Sequence, residues 1–335
     1  MRATRLSISM LSITLAAATL LAGGADAQSL SRSQQQCLRD FHQQTARVQR
    51  ALGKNALGCV RRAGAGRETD ARGCVQEDAR GAVARAERRL ADRTERSCQD
   101  RPEFGTTDSG AVAATLAAEQ WALIARLYGG DLDAALVPDR DGARCQSEVL
   151  RRATRFQDAQ WRAVIRASRR ALDAGVADAD AYARELLDAR GGDPKVASAL
   201  RQIEAKVGRR CPTSDAARDL LPGRCADSAN LTACVAAAAS CSFCRSLGAT
   251  TELPLACDTY DDGQENQSCS DLGAPLFVAV DGNDAGDGTR EAPLATLEAA
   301  LARASDGGFG RIRMAAGVYA VAGNPLVDGV SIEGG

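Results

Sequence analysis

Histidine is almost absent from this 335-residue chain, with His42 the only one. Ser-His-Asp catalysis needs an imidazole base inside a pocket, and a His-based zinc site needs several. His42 falls on the polar side of a helical stretch, so it is expected at the solvated surface and both chemistries are close to excluded. Aromatic residues make up 4%, and no aromatic stripe accompanies the basic residues, so no nucleic-acid partner is expected. Lysine is scarce and the basic side chains are nearly all arginine. A phosphate loop of the Walker type is missing: Gly286-Asp287-Gly288-Thr289 lacks the following lysine. Past the first 27 residues no run approaches the roughly 18 apolar residues of a membrane span.

What the chain has in place of these begins with an export signal. Arg2 and Arg5 precede an apolar core from Ile8 to Ala22, and Ala25-Asp26-Ala27 forms a small-x-small cleavage site before Gln28; residues 1–27 read as a secretory signal peptide. No cysteine follows the core until Cys37 and Arg2 and Arg5 ahead of it are not adjacent, which argues against a lipid anchor and twin-arginine export. The expected location is extracellular, cell-surface or periplasmic. Net charge is −1, but residues 28–211 carry 33 basic against 25 acidic residues, and residues 212–335 carry 7 against 17. A basic front admits an anionic partner, although arginines spread around helical faces and mixed with acids also read as a solvated surface.

All twelve cysteines follow the signal peptide, and an even number in an exported chain predicts disulfides. Cys37, Phe41, Thr45, Val48, Leu52, Ala56 and Cys59 step by three and four, placing one face of a helix between two cysteines. Beyond a Gly-rich linker, a second helical stretch runs from Cys74 toward Cys98 through Val75, Ala79, Val83, Ala86 and Leu90. The two Cys spacings, 22 and 24, nearly match, so an antiparallel hairpin pairs Cys37 with Cys98 and Cys59 with Cys74. A shift of 108 places Cys145, Val149, Ala153, Phe156, Gln160, Val164 and Ala167 on the first helix, and Thr45–Ala51 (TARVQRA) on Ala153–Ala159 (ATRFQDA). The outer cysteine recurs. Both inner ones are lost together, at Ala167 and Leu187, as a Cys59–Cys74 bridge predicts, and Cys145 is expected to pair with Cys211. Between the repeats Val112 to Tyr128 reads as a helix with Leu116, Leu123, Ile124 and Leu127 as core.

Residues 212–272 change composition. Cys225, Cys234, Cys241, Cys244, Cys257 and Cys269 allow three bridges in fifteen connectivities. Cys241-x-x-Cys244 also fits a redox pair or half a zinc site, but the exported context and the lack of histidine ligands favour bridges. Asp258, Asp261, Asp262 and Asn266 gather hard oxygen ligands before and after Gly263, the chemistry calcium prefers, although the spacing is not an EF-hand and an Asx-rich turn accounts for it. No other cofactor is expected.

In the last sixty residues Leu276–Val280 reads as a strand, the Asp281–Thr289 cluster as a turn, Leu294, Leu297, Ala300, Leu301 and Ala304 as one face of a helix, and Ile312, Met314, Val330 and Ile332 as alternating strand positions. The order of an apolar strand, Gly282-Asn283-Asp284, Pro293, Thr296, Ala300-Leu301, the AAGVY segment Ala315–Tyr319 and Asp328–Gly335 (DGVSIEGG) resembles the opening of secreted right-handed parallel β-helix proteins of the pectate-lyase-like type, in particular a domain of unknown function that starts many of them. The upstream Cys-rich helical repeats resemble modules of secreted proteins of myxobacteria-like species. The resemblance implies a cap and a first coil. Because stacked coils need at least three repeats, the chain is expected to be a fragment whose catalytic coils are missing.

The sequence thus predicts a multidomain, mainly α protein: a signal peptide (1–27), a Cys-bridged helical hairpin (28–100), a helical connector (101–140), a second hairpin (141–211), a Cys-rich module (212–272) and an incomplete β-helix start (273–335). The preferred function is an exported, non-catalytic surface or extracellular protein that presents a β-helix for adhesion or glycan contact, with polysaccharide or cell-surface glycan as the partner. The front portion of a β-helix polysaccharide lyase or hydrolase, and a thiol or metal protein, are the alternatives.

Overall fold

The computed structural model describes residues 30–211, 219–226, 228–263, 269, 276–286, 288, 292–307, 311–319 and 331–334. The expected signal peptide (residues 1–27) lies outside the described residues, as do Asn266 and Val330.

Two long helices organise the front of the molecule. α1 (Arg32–Ala63) starts at a reciprocal cap in which Ser31 Oγ accepts from the Gln34 amide and the Gln34 side chain accepts from the Ser31 amide. α6 (Arg140–Asp173) starts at Asp139, whose carboxylate accepts from the Asp141 and Gly142 amides. They pack antiparallel: Arg39 reaches Asp173, Arg50 reaches Asp158, and Gly64 abuts Ala143. α1 is also covered by α3 (Ala82–Ser97) and α4 (Ser109–Tyr128). That is why its burial exceeds the single stripe read from spacing, extending to Asp40, His42, Gln44 and Gln49.

The stretch after Cys74 is two helices where the sequence reading had one. α2 (Ala71–Gln76) ends before a turn at Gly81, with φ +61°, and Asp78 caps α3 through the Ala82 and Ala84 amides, both at 2.8 Å. The break lets Cys74 and Cys98 both face α1 despite their unequal helical phase. Beyond α4 and the short α5 (Leu132–Ala135), the second hairpin comprises α6, α7 (Ala179–Gly192) and α8 (Pro194–Arg210). α9 (Leu231–Thr251) crosses onto α4 and α6, and α10 (Cys257–Asp262) packs on α9. By length and composition α9 could cross a membrane, but most of it is buried in the core, where Phe243 meets Trp161 edge-on at 5.4 Å and Tyr260 at 5.8 Å.

One apolar core runs from Leu38 to Tyr260, joining both hairpins, the connector and the Cys-rich segment. Polar contacts cross it and fix the register of its helices. Gln157 Nε2 donates to Ser242 Oγ at 3.0 Å, Ser242 donates to the Glu119 carbonyl at 2.9 Å, and Tyr260 donates to Gln160 at 2.9 Å.

Six disulfides hold this body: Cys37–Cys98, Cys59–Cys74, Cys145–Cys211, Cys225–Cys234, Cys241–Cys269 and Cys244–Cys257, with no free cysteine. Such a set persists in an oxidising, extracellular-type environment.

The C-terminal expectation needs correction. Among the described residues there is no β-helix, and the cap of such a protein is not supported. Strands β1 (Leu276–Val278), β2 (Arg311–Met314) and β3 (Ser331–Gly334) are three or four residues long and pair in parallel in sequence order, with Leu276 opposite Ile312 and Ile312 opposite Ile332. The apolar side chains of β1 and β2 are covered by α11 (Leu297–Gly307), which contributes Leu297, Ala300, Leu301 and Ala304 to a small core of its own. A local helix-on-sheet cluster takes up Ile312 and Met314, which the sequence reading assigned to a coil stack, while Ile332 stays exposed.

Candidate anion-binding face

The arginines of the front half gather on α1 and the helices beside it, α6 and α8 around one depression and α3 along a separate groove. At the C-terminal end of α1, Arg61 faces Arg140, Arg144 and Arg151 from the first turns of α6 and Arg210 from the end of α8, around a depression of ≈ 480 Å³ that also includes Ser147 and Glu148. Two local constraints bring the three helix ends together. The Cys145–Cys211 bridge, with Cα atoms 4.8 Å apart, ties the end of α8 to the start of α6. Gly64 then lets α1 close on α6, since a Cβ there would lie 2.7 Å from Ala143 Cβ.

The depression continues along the α1–α6 seam into a furrow of ≈ 250 Å³ lined by Arg50, Lys54, Arg61, Arg151 and Arg155. Arg50 and Lys54 also line a groove of ≈ 670 Å³ on the α3 side, with Arg62, Arg80, Arg85 and Arg89.

Ion pairing leaves part of this charge uncompensated. Arg50 binds Asp158 at 2.9 Å, Arg62 pairs with Glu68, and Arg144 lies 3.6 Å from Asp141. Glu148 is held by both Arg151 and Arg152. Burial pushes the Glu148 carboxyl upward, but hydrogen bonds from these two guanidinium groups outweigh it and hold the pKa below the usual range. Among the described residues no carboxylate pairs with Lys54, Arg61, Arg140, Arg155 or Arg210. These five cations, all exposed, lie along one continuous surface. Sequence reasoning registered the basic excess but not its convergence, because the contributing residues are spread over some 150 positions and meet only after the hairpins pack. The available signal was the arginines in the last turns of α1 and α8.

The oxygen ligands considered for calcium are dispersed in role. Asp258 Oδ1 accepts from the Cys269 amide at 3.1 Å, Asp261 is buried, and Asp262 is exposed at the end of α10. Cys241, Asp261 and Cys269 cluster closely enough to suggest ligands, but both cysteines are consumed in one disulfide, and a disulfide sulfur offers no thiolate to a metal. Beside Asp261 lies a buried charge cluster in which Arg245 Nε contacts both Glu119 oxygens, at 3.0 and 3.1 Å. Arg126 there is lowered to about 10, chiefly by burial and secondarily by the Arg245 charge.

His42 is not at the surface. It is 1% exposed, with Nε2 3.1 Å from the Gly105 carbonyl and its ring stacked near Tyr182. Burial lowers its pKa to about 4, against a smaller upward effect of the Gly105 bond. The imidazole is therefore neutral at pH 7 and sealed from any substrate. It was misplaced because the residues beside it on α1 are polar, whereas α1 is covered on more than one side.

No family model, curated protein or solved structure matches this chain.

Proposed function

We propose that this chain is an exported, non-catalytic binding protein whose helical front contacts an anionic glycan along the α1–α6 seam. The observation that carries the reading is the set of cations without acidic partners among the described residues, Lys54, Arg61, Arg140, Arg155 and Arg210, on one continuous depression and furrow. A disulfide-held scaffold keeps such a surface open without requiring the ligand to order it, which reduces the entropic cost of binding. Arginine suits carboxylate and sulfate groups because its planar fork donates two parallel hydrogen bonds.

Binding of polygalacturonate, with dextran as the neutral polymer, tests this by titration calorimetry on the disulfide-intact chain. Polygalacturonate should bind, its affinity should fall steeply between low and physiological salt, and the Lys54→Gln/Arg155→Gln variant should weaken it. Equal binding of dextran, or no effect of the double variant, would contradict the reading.

A further inference from the structure

We propose that the depression where α1, α6 and α8 converge is a discrete subsite for the phosphate ester of a phosphorylated sugar. This rests on the glycan reading and narrows it.

Three observations separate this end of the seam from the rest. First, Arg61, Arg140 and Arg210 arrive from three different helices and have no carboxylate partner among the described residues. The acid within the depression, Glu148, already serves Arg151 and Arg152. Three uncompensated guanidinium groups around one concavity suit a dianion better than the single charge of a uronate, and their fork geometry matches tetrahedral phosphate oxygens. In the furrow Arg50 is neutralised by Asp158, and the cations it adds to Arg61 without a partner among the described residues are Arg155 and Lys54, the latter a point charge without the planar fork.

Second, the wall also carries groups for a sugar. Glu148 and Ser147 lie among the arginines, and a carboxylate has about four lone-pair sites, so Glu148 retains acceptor capacity for a hydroxyl after binding two guanidinium groups. The ≈ 480 Å³ volume falls within the range of roughly 300–1,000 Å³ typical of small-ligand sites.

Third, the site is held in advance. The Cys145–Cys211 bridge and the close approach of Gly64 to Ala143 set the three helix ends before any ligand arrives, as a recognition site requires.

A phosphate monoester could be met on a free sugar or at a lipid headgroup, and the experiment distinguishes the two. The full disulfide-intact chain is titrated with glucose 6-phosphate, glucuronate and glucose, and separately with phosphatidylcholine vesicles containing phosphatidic acid. Glucose 6-phosphate should bind about tenfold or more tightly than glucuronate, as expected for an added charge at a bidentate site, and glucose should not bind. Arg140→Gln/Arg210→Gln should weaken the phosphate ester at least about tenfold. Lys54→Gln/Arg155→Gln should leave it unchanged while weakening polygalacturonate. Equal affinity for glucuronate, indifference to the Arg140/Arg210 change, or binding to vesicles without binding to the soluble ester overturns the subsite. Polygalacturonate binding without glucose 6-phosphate binding overturns it and leaves the polymer reading standing. Glucose 6-phosphate binding that the Arg140/Arg210 variant loses, in a chain that ignores polygalacturonate, supports the subsite and sinks the polymer reading.

Discussion

Arg50 and Asp158 occupy equivalent positions of the two sequence repeats, 108 residues apart, and their side chains meet across the α1–α6 seam with Nε 3.0 and 2.9 Å from the two carboxylate oxygens. When two copies of a helix pack antiparallel about a local two-fold axis, the residue on the axis faces its own equivalent. The Gly53–Thr154 and Gly64–Ala143 contacts on one side and the Arg39–Asp173 contact on the other keep the same sense. The repeat is therefore the packing rule for the central helix pair, with an arginine in one copy and an aspartate in the other turning a like-residue contact into an ion pair.

The pair can be tested by charge exchange. Arg50→Asp sets two carboxylates against each other and should lower stability by about 1 kcal/mol, since both side chains are partly exposed and screened. Adding Asp158→Arg should recover most of that loss, read as a coupling energy from urea unfolding of the four members of the cycle. Additive losses would show that the contact contributes nothing.

Gly64 is expected to be intolerant of a side chain although its φ of −63° is ordinary helix. The reason is space, since a new Cβ would sit 2.7 Å from Ala143 Cβ at the crossing. Gly64→Ala should cost about 1–3 kcal/mol by overpacking, and Gly64→Ala/Ala143→Gly should relieve it. Thermal unfolding of the two variants provides the check.

The disulfides should differ in weight. The second repeat builds its hairpin with Ala167 and Leu187 where the first has an inner bridge, so removing Cys59–Cys74 should leave a folded chain. The 15-residue separation predicts a loss of about 3 kcal/mol by the loop-entropy account. Removing Cys145–Cys211, which spans 66 residues, should cost about 4 kcal/mol and free the end of α8. Paired Cys→Ala variants compared by urea unfolding and far-ultraviolet circular dichroism would settle the order. Global loss of helix on removing Cys59–Cys74 would refute it.

Much of the helical body was legible in the sequence. The three- and four-residue spacing from Cys37 to Cys59 lies within α1, and Val112 to Tyr128 lies within α4. Cysteine parity in a chain expected to be exported anticipated bridges, and twelve of twelve are bridged. What failed depended on tertiary partners. His42 looked solvated because a helical wheel does not show how many neighbours α1 will have. Ile312 and Met314 read as coil positions because parallel-strand alternation is the same whether the covering layer is another coil or α11. The arginine depression was invisible because Arg61, Arg140 and Arg210 belong to separate helices that only the packed hairpins and the Cys145–Cys211 bridge bring together.

His42 makes a prediction about acid stability that needs no ligand. In the folded chain its pKa is lowered to about 4 by burial, whereas the unfolded chain should titrate near 6.5. Between those values the unfolded state binds a proton that the folded state refuses, so stability should be complete above about pH 6.5, decline as pH falls through the window, and stop declining on this account below about 4. The total is about 3 kcal/mol. Since the chain has one histidine, the upper part of the window, above the carboxylate range, isolates its contribution. Glu148 and Asp193, held below their ordinary values by arginine hydrogen bonds that outweigh burial, add their losses only at lower pH. Urea unfolding at pH 7, 6 and 5 should show the decline in the native chain. His42→Gln, which keeps a donor for the Gly105 carbonyl but cannot titrate, should flatten the profile over that range even if it is less stable throughout. A variant that retains the native slope would mean that the buried imidazole is not its source.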